Sequence, residues 1–372
     1  MASQKNAALP DGLELNGYRI VRRIASGGFS IVYLAEDHRG VQFAIKEYLP
    51  SNLVTRHEGE LVPVVEHKHQ TTFRNGLKCF FEEGRTLARI FHPNVVRVVN
   101  FFRAHETVYM VMAFEQGRSL QEIVLRHRKA HRDAAAAAAE AEKAARTPAG
   151  RLLAAARGRL GRAATTAAGP ESARGMLPER HVLHVFNLVM NGLREVHANR
   201  LLHLDLKPAN IYLRMDGTPL LLDFGAARRA LDDDLPKLFP MYTPGFAAPE
   251  LYRRESPLGP WTDIYGLGTS MYACMAGKPP QPADKRQADD ELLKAIDELA
   301  DAYSQALLDI VLWCVKLDPV ERPQSVFALQ RALRAIDLPP VPRDRWPRWL
   351  MRLAHRDSGA DNHQHSLIMP NG

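Results

Sequence analysis

Short polar motifs follow one another in a fixed order along this 372-residue chain, and they constrain its fold more than any other feature. Phe43-Ala44-Ile45-Lys46 lies in a strand-like stretch and follows a glycine-bearing turn, Ala25-Ser26-Gly27-Gly28-Phe29-Ser30. Much later comes His203-Leu204-Asp205-Leu206-Lys207-Pro208-Ala209-Asn210. Asp223-Phe224-Gly225 follows, its aspartate thirteen residues beyond Asn210, and then Ala248-Pro249-Glu250. Whatever fold forms must bring these scattered acids, amides and lysines to a common place or leave them as separate turns.

Patterning supplies the frame. Tyr18–Ile24, Ile31–Glu36 and Val41–Glu47 predict strands, as do Val95–Phe102 and Val108–Phe114. Between them Phe80–Ile90 has helical periodicity, ended at His92-Pro93. Glu179–Ala198 predicts a central amphipathic helix, short strands run to Asp223, and helical patterns extend from Thr262 to Ile336. A β-rich first lobe and an α-rich second lobe make an α+β plan with a cleft between them. No repeat of 20–50-residue period is present.

Charge has to be located before it is interpreted. The formal net charge is +7, but residues 126–174 alone hold 11 Lys/Arg against 4 Asp/Glu, leaving 38 of each elsewhere. That segment is also 19 alanines in 49 residues. It cannot bury much apolar surface, so it reads as an insert: a loop, or an exposed helix around Asp133–Arg146 ended near Thr147-Pro148. Its arginines lack interleaved aromatics, which disfavours nucleic acid and favours a solvated spacer. The tail from Pro339 to Gly372 carries Trp346 and Trp349 among arginines, which raises an acidic membrane or a protein partner as a peripheral contact for insert or tail. Three separated cysteines argue against a disulfide framework and fit a cytoplasmic setting. No apolar run reaches spanning length, and Met1–Asn16 lacks a signal-peptide core.

Taken together, the ordered motifs resemble the signature set of protein kinases, specifically the eukaryotic-like (Hanks-type) Ser/Thr kinases of bacteria. The resemblance covers roughly Gly17 to Leu338. It implies a bilobal fold with an N-lobe over residues 17–115 and a C-lobe over 116–338, interrupted by the insert at about 127–176. Residues 1–16 and 339–372 then form an N-terminal extension and a C-terminal tail. The implied activity is transfer of the ATP γ-phosphate to a Ser or Thr hydroxyl of a protein substrate, with Mg²⁺, or alternatively Mn²⁺, as the metal.

The resemblance also assigns roles. Asp205 orients the attacking hydroxyl and accepts its proton, and Lys207 offsets charge on the transferring group. Asn210 and Asp223 hold the metal. Lys46 meets the α/β-phosphates and Glu83 is the carboxylate expected to hold Lys46, since Glu82 points about 100° away on a helix. Ala25, Gly27, Gly28, Val32, Ala44, Met112 and Tyr212 contact the nucleotide, with Met112 at the back of the pocket and Tyr212 beneath the adenine. Glu250 and Arg322 form a buried ion pair, Asp263 caps the catalytic-loop backbone, and Thr243 bonds the aspartate–lysine pair.

Three departures from the pattern matter. The phosphate loop keeps only Gly27 of the three family glycines, which predicts weaker or slower nucleotide handling because Ala and Ser lack the freedom to take φ > 0. Leu204 stands where the family has an arginine that binds a phosphate on the activation loop, and no Ser, Thr or Tyr lies between Gly225 and Met241. The two absences together predict activity that does not require activation-loop phosphorylation. Finally, some 20 additional residues, Ser51–Gln70, predict a surface hairpin. Two other readings remain open here: a nucleotide-binding pseudokinase scaffold, and a kinase-like phosphotransferase for a small molecule.

Overall fold

The computed structural model describes residues 5–145, 176–224, 228–229, 243–253 and 256–336. The first lobe is a six-stranded antiparallel sheet built from β1 (Glu14–Leu15), β2 (Tyr18–Ser26), β3 (Ser30–Asp37), β4 (Gln42–Tyr48), β7 (Val98–Ala104) and β8 (Thr107–Ala113), in the order β1-β2-β3-β4-β8-β7. The predicted strands are all present, shifted by up to three residues. Helix α1 (Gln70–Leu87) packs on one face of this sheet and begins ten residues before the predicted Phe80.

Strand alternation explains how β4 serves two environments. Lys46 is paired across the sheet with Val32 on one side and Met110 on the other, and its side chain shares their face, towards α1. Glu47, one residue on, points through the opposite face and is fully buried there. Its carboxylate accepts hydrogen bonds from Arg56 Nη1 at 2.5 Å and Nη2 at 2.8 Å, from the Tyr33 hydroxyl at 2.7 Å and from the Tyr109 hydroxyl at 2.9 Å. Arg56 also donates to the Ala7 carbonyl, and its own N–H donates to Asn6 Oδ1.

Arg56 comes from the segment expected to be a mere surface hairpin. The segment does form a short pairing, β5 (Val54–Thr55) with β6 (Val64–Val65), but Arg56 is 2% exposed. A buried carboxylate is tolerable only when its lone pairs are satisfied, and Arg56 does most of that here. The hairpin and residues 6–9 are thereby fastened to the outer face of the sheet.

The second lobe is helical. Helix α2 (Leu120–Ala145) starts after the small strand β9 (Gly117–Ser119), and α3 (Glu179–Ala198) coincides with the predicted central helix. Residues 201–202 (β10) pair with 228–229 (β13), and β9 joins β11 (Ile211–Arg214) and β12 (Pro219–Leu221) in a three-stranded sheet beneath the first lobe. Helix α4 (Pro260–Ala276) is buried from Thr262 to Met275 and forms the axis of the lobe. Around it lie α5 (Ala283–Arg286), α6 (Glu291–Asp297), α7 (Gln305–Cys314) and α8 (Val326–Arg334). Gly277 ends α4 with φ +69°, where an added Cβ would stand 2.5 Å from Met176 Cγ.

The alanine-rich segment needs one correction. Its helix is not a separate element near Asp133: it is the continuation of α2, which buries Ile123 and Val124 in its first turns and then runs on exposed from Arg128. Alanine's high helix propensity lets a helix nucleated on the lobe propagate without further packing. Residues 146–175 and the tail from 337 lie outside the described residues, as do the expectations placed on them. Among the described residues, no helix is long and apolar enough to cross a membrane.

Replacing Arg56 by Met leaves Glu47 buried without its cation. Thermal or denaturant unfolding is expected to show a loss of roughly 3–5 kcal/mol, of which Glu47→Leu/Arg56→Met recovers a large part. Equal losses in both variants would show that Arg56 contributes through packing rather than by neutralising Glu47.

Candidate active site

The most elaborate polar arrangement in the cleft is built on Asp263, at the start of α4. Its carboxylate is fully buried and accepts from the backbone N–H of His203 at 2.9 Å and of Leu204 at 2.7 Å. His197 Nε2 contacts the same carboxylate at 2.7 Å. Burial alone would raise its pKa, but the His197 hydrogen bond and charge, together with the backbone donor, hold it below the usual carboxylate value. The two backbone bonds stabilise an unfavourable conformation, because Leu204 has φ +63°. The turn so fixed presents Asp205.

His203 is also fully buried, and burial lowers its pKa, so the ring is neutral. Its Nε2 lies 3.0 Å from the Leu222 carbonyl, an acceptor only, so that nitrogen carries the hydrogen. The ring packs against buried Phe224 at 4.5 Å between centroids, joining the turn that carries Asp205 to the segment that carries Asp223.

Asp205 sits among donors. Lys207 Nζ lies 2.5 Å from its Oδ2 and 2.7 Å from Thr243 Oγ1, and the Thr243 hydroxyl donates to Asp205 Oδ1 at 2.9 Å. Asn210 Nδ2 donates to the Asp205 carbonyl at 2.8 Å and to Oδ2 at 3.1 Å. With its amide nitrogen committed, Asn210 directs its oxygen elsewhere. Asp223, at φ +57° and with a side chain 48% exposed, pairs with buried Lys46.

The expected partner of Lys46 is displaced. Lys46 Nζ bonds Asp223, while Glu83 Oε1 is buried with no hydrogen-bond partner. Burial lowers the pKa of Lys46, but the charges of Asp223 and then Glu83 outweigh it and hold it above the ordinary lysine value. For Glu83, burial raises the pKa to about 8 although Lys46 attracts the carboxylate. Burial thus disfavours the charged form of Glu83, and Lys46 bonds the more exposed Asp223.

The remaining expected positions fall around the same cleft. Val32 pairs with Lys46 and Ala25 with Val32, and Ala44 pairs with Met112. Tyr212 lies on β11 opposite them, and its hydroxyl donates to the Glu115 carbonyl at 3.2 Å. Gly27 and Gly28 form the turn between β2 and β3. No residue from Ala25 to Ser30 has a positive φ, so the substitutions at the family glycines impose no backbone strain in this conformation. The stated reason for weaker nucleotide handling is therefore absent.

Glu250 and Arg322 form the buried bidentate pair at 2.8 and 3.0 Å, behind the segment that begins at Thr243. Leu204 packs with Leu202, Ala247 and Leu251 in a small apolar cluster separate from the main core. Sequence reasoning flagged Leu204 only as a missing arginine, and nothing in the local pattern pointed to its contact with a segment over forty residues away.

The donor set suits a hard cation. Asp223 offers a half-exposed carboxylate, and Asn210, bonded to Asp205 through its amide nitrogen, offers an amide oxygen. The nearest positive charge to Asp223 is the lysine on the opposing sheet.

A protein kinase domain model matches residues 161–333. Over that stretch the chain is similar to protein kinases. Its relatives include serine/threonine-protein kinase pkn2 of Myxococcus xanthus, 26% identical over 88% of this chain and 33% of that protein. Serine/threonine-protein kinase C of Synechocystis is 26% identical over 86% of this chain and 50% of that protein. The chain thus spans a third to a half of the length of these curated relatives. Among solved structures, the PpkA-294 apo form superposes with a TM-score of 0.65 at 28% identity, covering 88% of this chain and 99% of that one. The Mycobacterium tuberculosis PknI kinase domain shares the fold, with a TM-score of 0.54 at 19% identity over 88% of this chain and 99% of that one.

Because burial raises the pKa of Glu83 to about 8, folding favours its protonated form, and the protein becomes less stable as pH rises from the unfolded value near 4.5 towards 8. Glu83→Gln removes that slope. Melting temperatures of variant and parent are expected to be similar at pH 5 and to diverge in favour of the variant by pH 8; a constant difference would contradict the neutral assignment.

Proposed function

We propose that this protein is an ATP-dependent serine/threonine protein kinase. The observation that carries the reading is the bonding of Asp205: Lys207, Thr243 and Asn210 all converge on it, beside the Lys46–Asp223 pair. Asp205 also lies near enough to add to the negative field at Lys46. This is a site arranged to handle one hydroxyl proton next to a concentration of phosphate charge.

In this mechanism Lys46 neutralises the α/β-phosphates of ATP. Asp223 and Asn210 would hold Mg²⁺, which supplies positive charge on the phosphate oxygens when bound. Asp205 orients the acceptor hydroxyl and takes its proton as the new O–P bond forms. The bond from the γ-phosphorus to the β–γ bridging oxygen breaks, and ADP leaves. Lys207 offsets the charge on the phosphoryl group in flight, and Thr243 fixes the rotamers of Asp205 and Lys207. Val32, Ala44, Met112 and Tyr212 enclose the adenine.

A protein acceptor fits better than a small molecule, because the Thr243–Ala248 segment is braced by the Glu250–Arg322 pair into a shelf in front of Asp205. Retention of Lys46, Asp205, Asn210 and Asp223 favours turnover over a silent scaffold. The contact of Leu204 with Ala247 and Leu251 supports activity without activation-loop phosphorylation: apolar packing joins the catalytic turn to the shelf where an arginine–phosphate bond otherwise would.

Labelled ATP·Mg and a generic protein substrate test the whole reading. Asp205→Ala and Asp223→Ala are each expected to reduce transfer by about 10²–10⁴-fold. Phosphatase-treated protein should keep its initial rate within about twofold, since packing rather than phosphate holds the shelf. ATP binding without transfer in the parent would establish the scaffold instead, and transfer to small alcohols alone would establish the small-molecule enzyme.

A further inference from the structure

The turn between β2 and β3 is not a free flap. Its tip is closed by Gly27 N–H donating to the Ser30 carbonyl at 2.9 Å, and two of its carbonyls are then bonded to the chain that leaves β4. Leu49 N–H donates to the Phe29 carbonyl at 2.8 Å. Ser51 donates twice to the Gly28 carbonyl, from its backbone N–H at 2.8 Å and from its Oγ at 3.1 Å.

The donors are themselves anchored. Leu53 and Val54 N–H both donate to the Pro50 carbonyl, at 3.0 and 3.1 Å, which folds the chain back just beyond Ser51. Val54 is 4% exposed, and two residues later Arg56 enters the buried Glu47 network. A short brace therefore runs from the tip of the turn to the outer face of the sheet.

From this geometry we infer that Ser51 is a positioning residue for nucleotide, holding the Gly28–Phe29 peptide in one orientation over the cleft. The inference rests on the reading that this cleft takes ATP. A trans peptide sets its N–H opposite its C=O, so fastening the Gly28 carbonyl to Ser51 fixes the direction of the Phe29 N–H. Backbone N–H groups in such turns are what phosphate oxygens bind. A turn that has exchanged two of its three glycines for Ala25 and Ser30 is thus ordered from outside, by a residue of the additional hairpin. Ordering before binding lowers the entropy lost when phosphate arrives, so the brace acts on affinity rather than on the transfer step.

The test is nucleotide affinity of the full chain, read with a fluorescent ATP analogue and Mg²⁺, beside KM and kcat for ATP. Ser51→Ala is expected to raise both Kd and KM roughly three- to tenfold, the effect of one hydrogen bond, with kcat within about twofold. Ser51→Thr, which keeps the hydroxyl, should restore both to within about twofold of the parent, and exposed Asn52→Ala should change neither. Unchanged Kd in Ser51→Ala would overturn the inference, as would a fall in kcat and melting temperature with Kd intact. A parent protein that binds no nucleotide would instead remove the ATP reading itself and the inference with it.

Discussion

The lower half of this cleft hangs from the Asp263 carboxylate. Two consecutive backbone N–H groups reach it from a turn that, at Leu204, adopts a left-handed conformation a leucine does not favour, and the His197 imidazole reaches it from the last turn of α3. Such strain persists only when the surroundings over-determine it. The surroundings here are α4, buried along nearly its whole length. Asp205 inherits its position from this support, and Lys207, Thr243 and Asn210 are then placed by bonding to Asp205.

The upper half of the cleft has a different origin. Lys46 and Glu47 are adjacent, and the period of a strand sends one into the cleft and the other through the back of the sheet. Both are buried ions, and each is matched by groups distant in sequence: Asp223 for the lysine, Arg56 with Tyr33 and Tyr109 for the glutamate. Satisfying Glu47 recruits the hairpin after β4, and the hairpin in turn reaches the turn at Gly28. Through that hairpin the turn between β2 and β3 is tied to a buried carboxylate on the far side of the sheet.

Substitution of arginine by Leu204 follows a related logic. An arginine there would bring a buried cation that needs an anion, and the chain from Gly225 to Met241 offers no hydroxyl to carry a phosphate. Leucine removes the cation and substitutes contact with Ala247 and Leu251. Dispersion and burial do not require a modification to switch them on.

Much of this was legible in the residues themselves. Strand period and helix period delivered β2–β4, β7, β8 and α3 to within a few residues, since a half-buried strand or helix must alternate in that way to cover a core. The order of Lys46, Asp205, Asn210 and Asp223 indicated a common site, because so many charged and amide residues at compatible spacing have few other uses. Sequence could not decide which carboxylate holds Lys46, since Glu83 and Asp223 compete through burial and charge, and burial exists only once the chain has folded. Nor could it show that Arg56 is internal, that α2 runs unbroken into the alanines, or that Ser51 bonds the turn between β2 and β3. Each depends on a pairing between segments whose separation along the chain carries no local signal, so it was settled by packing in three dimensions.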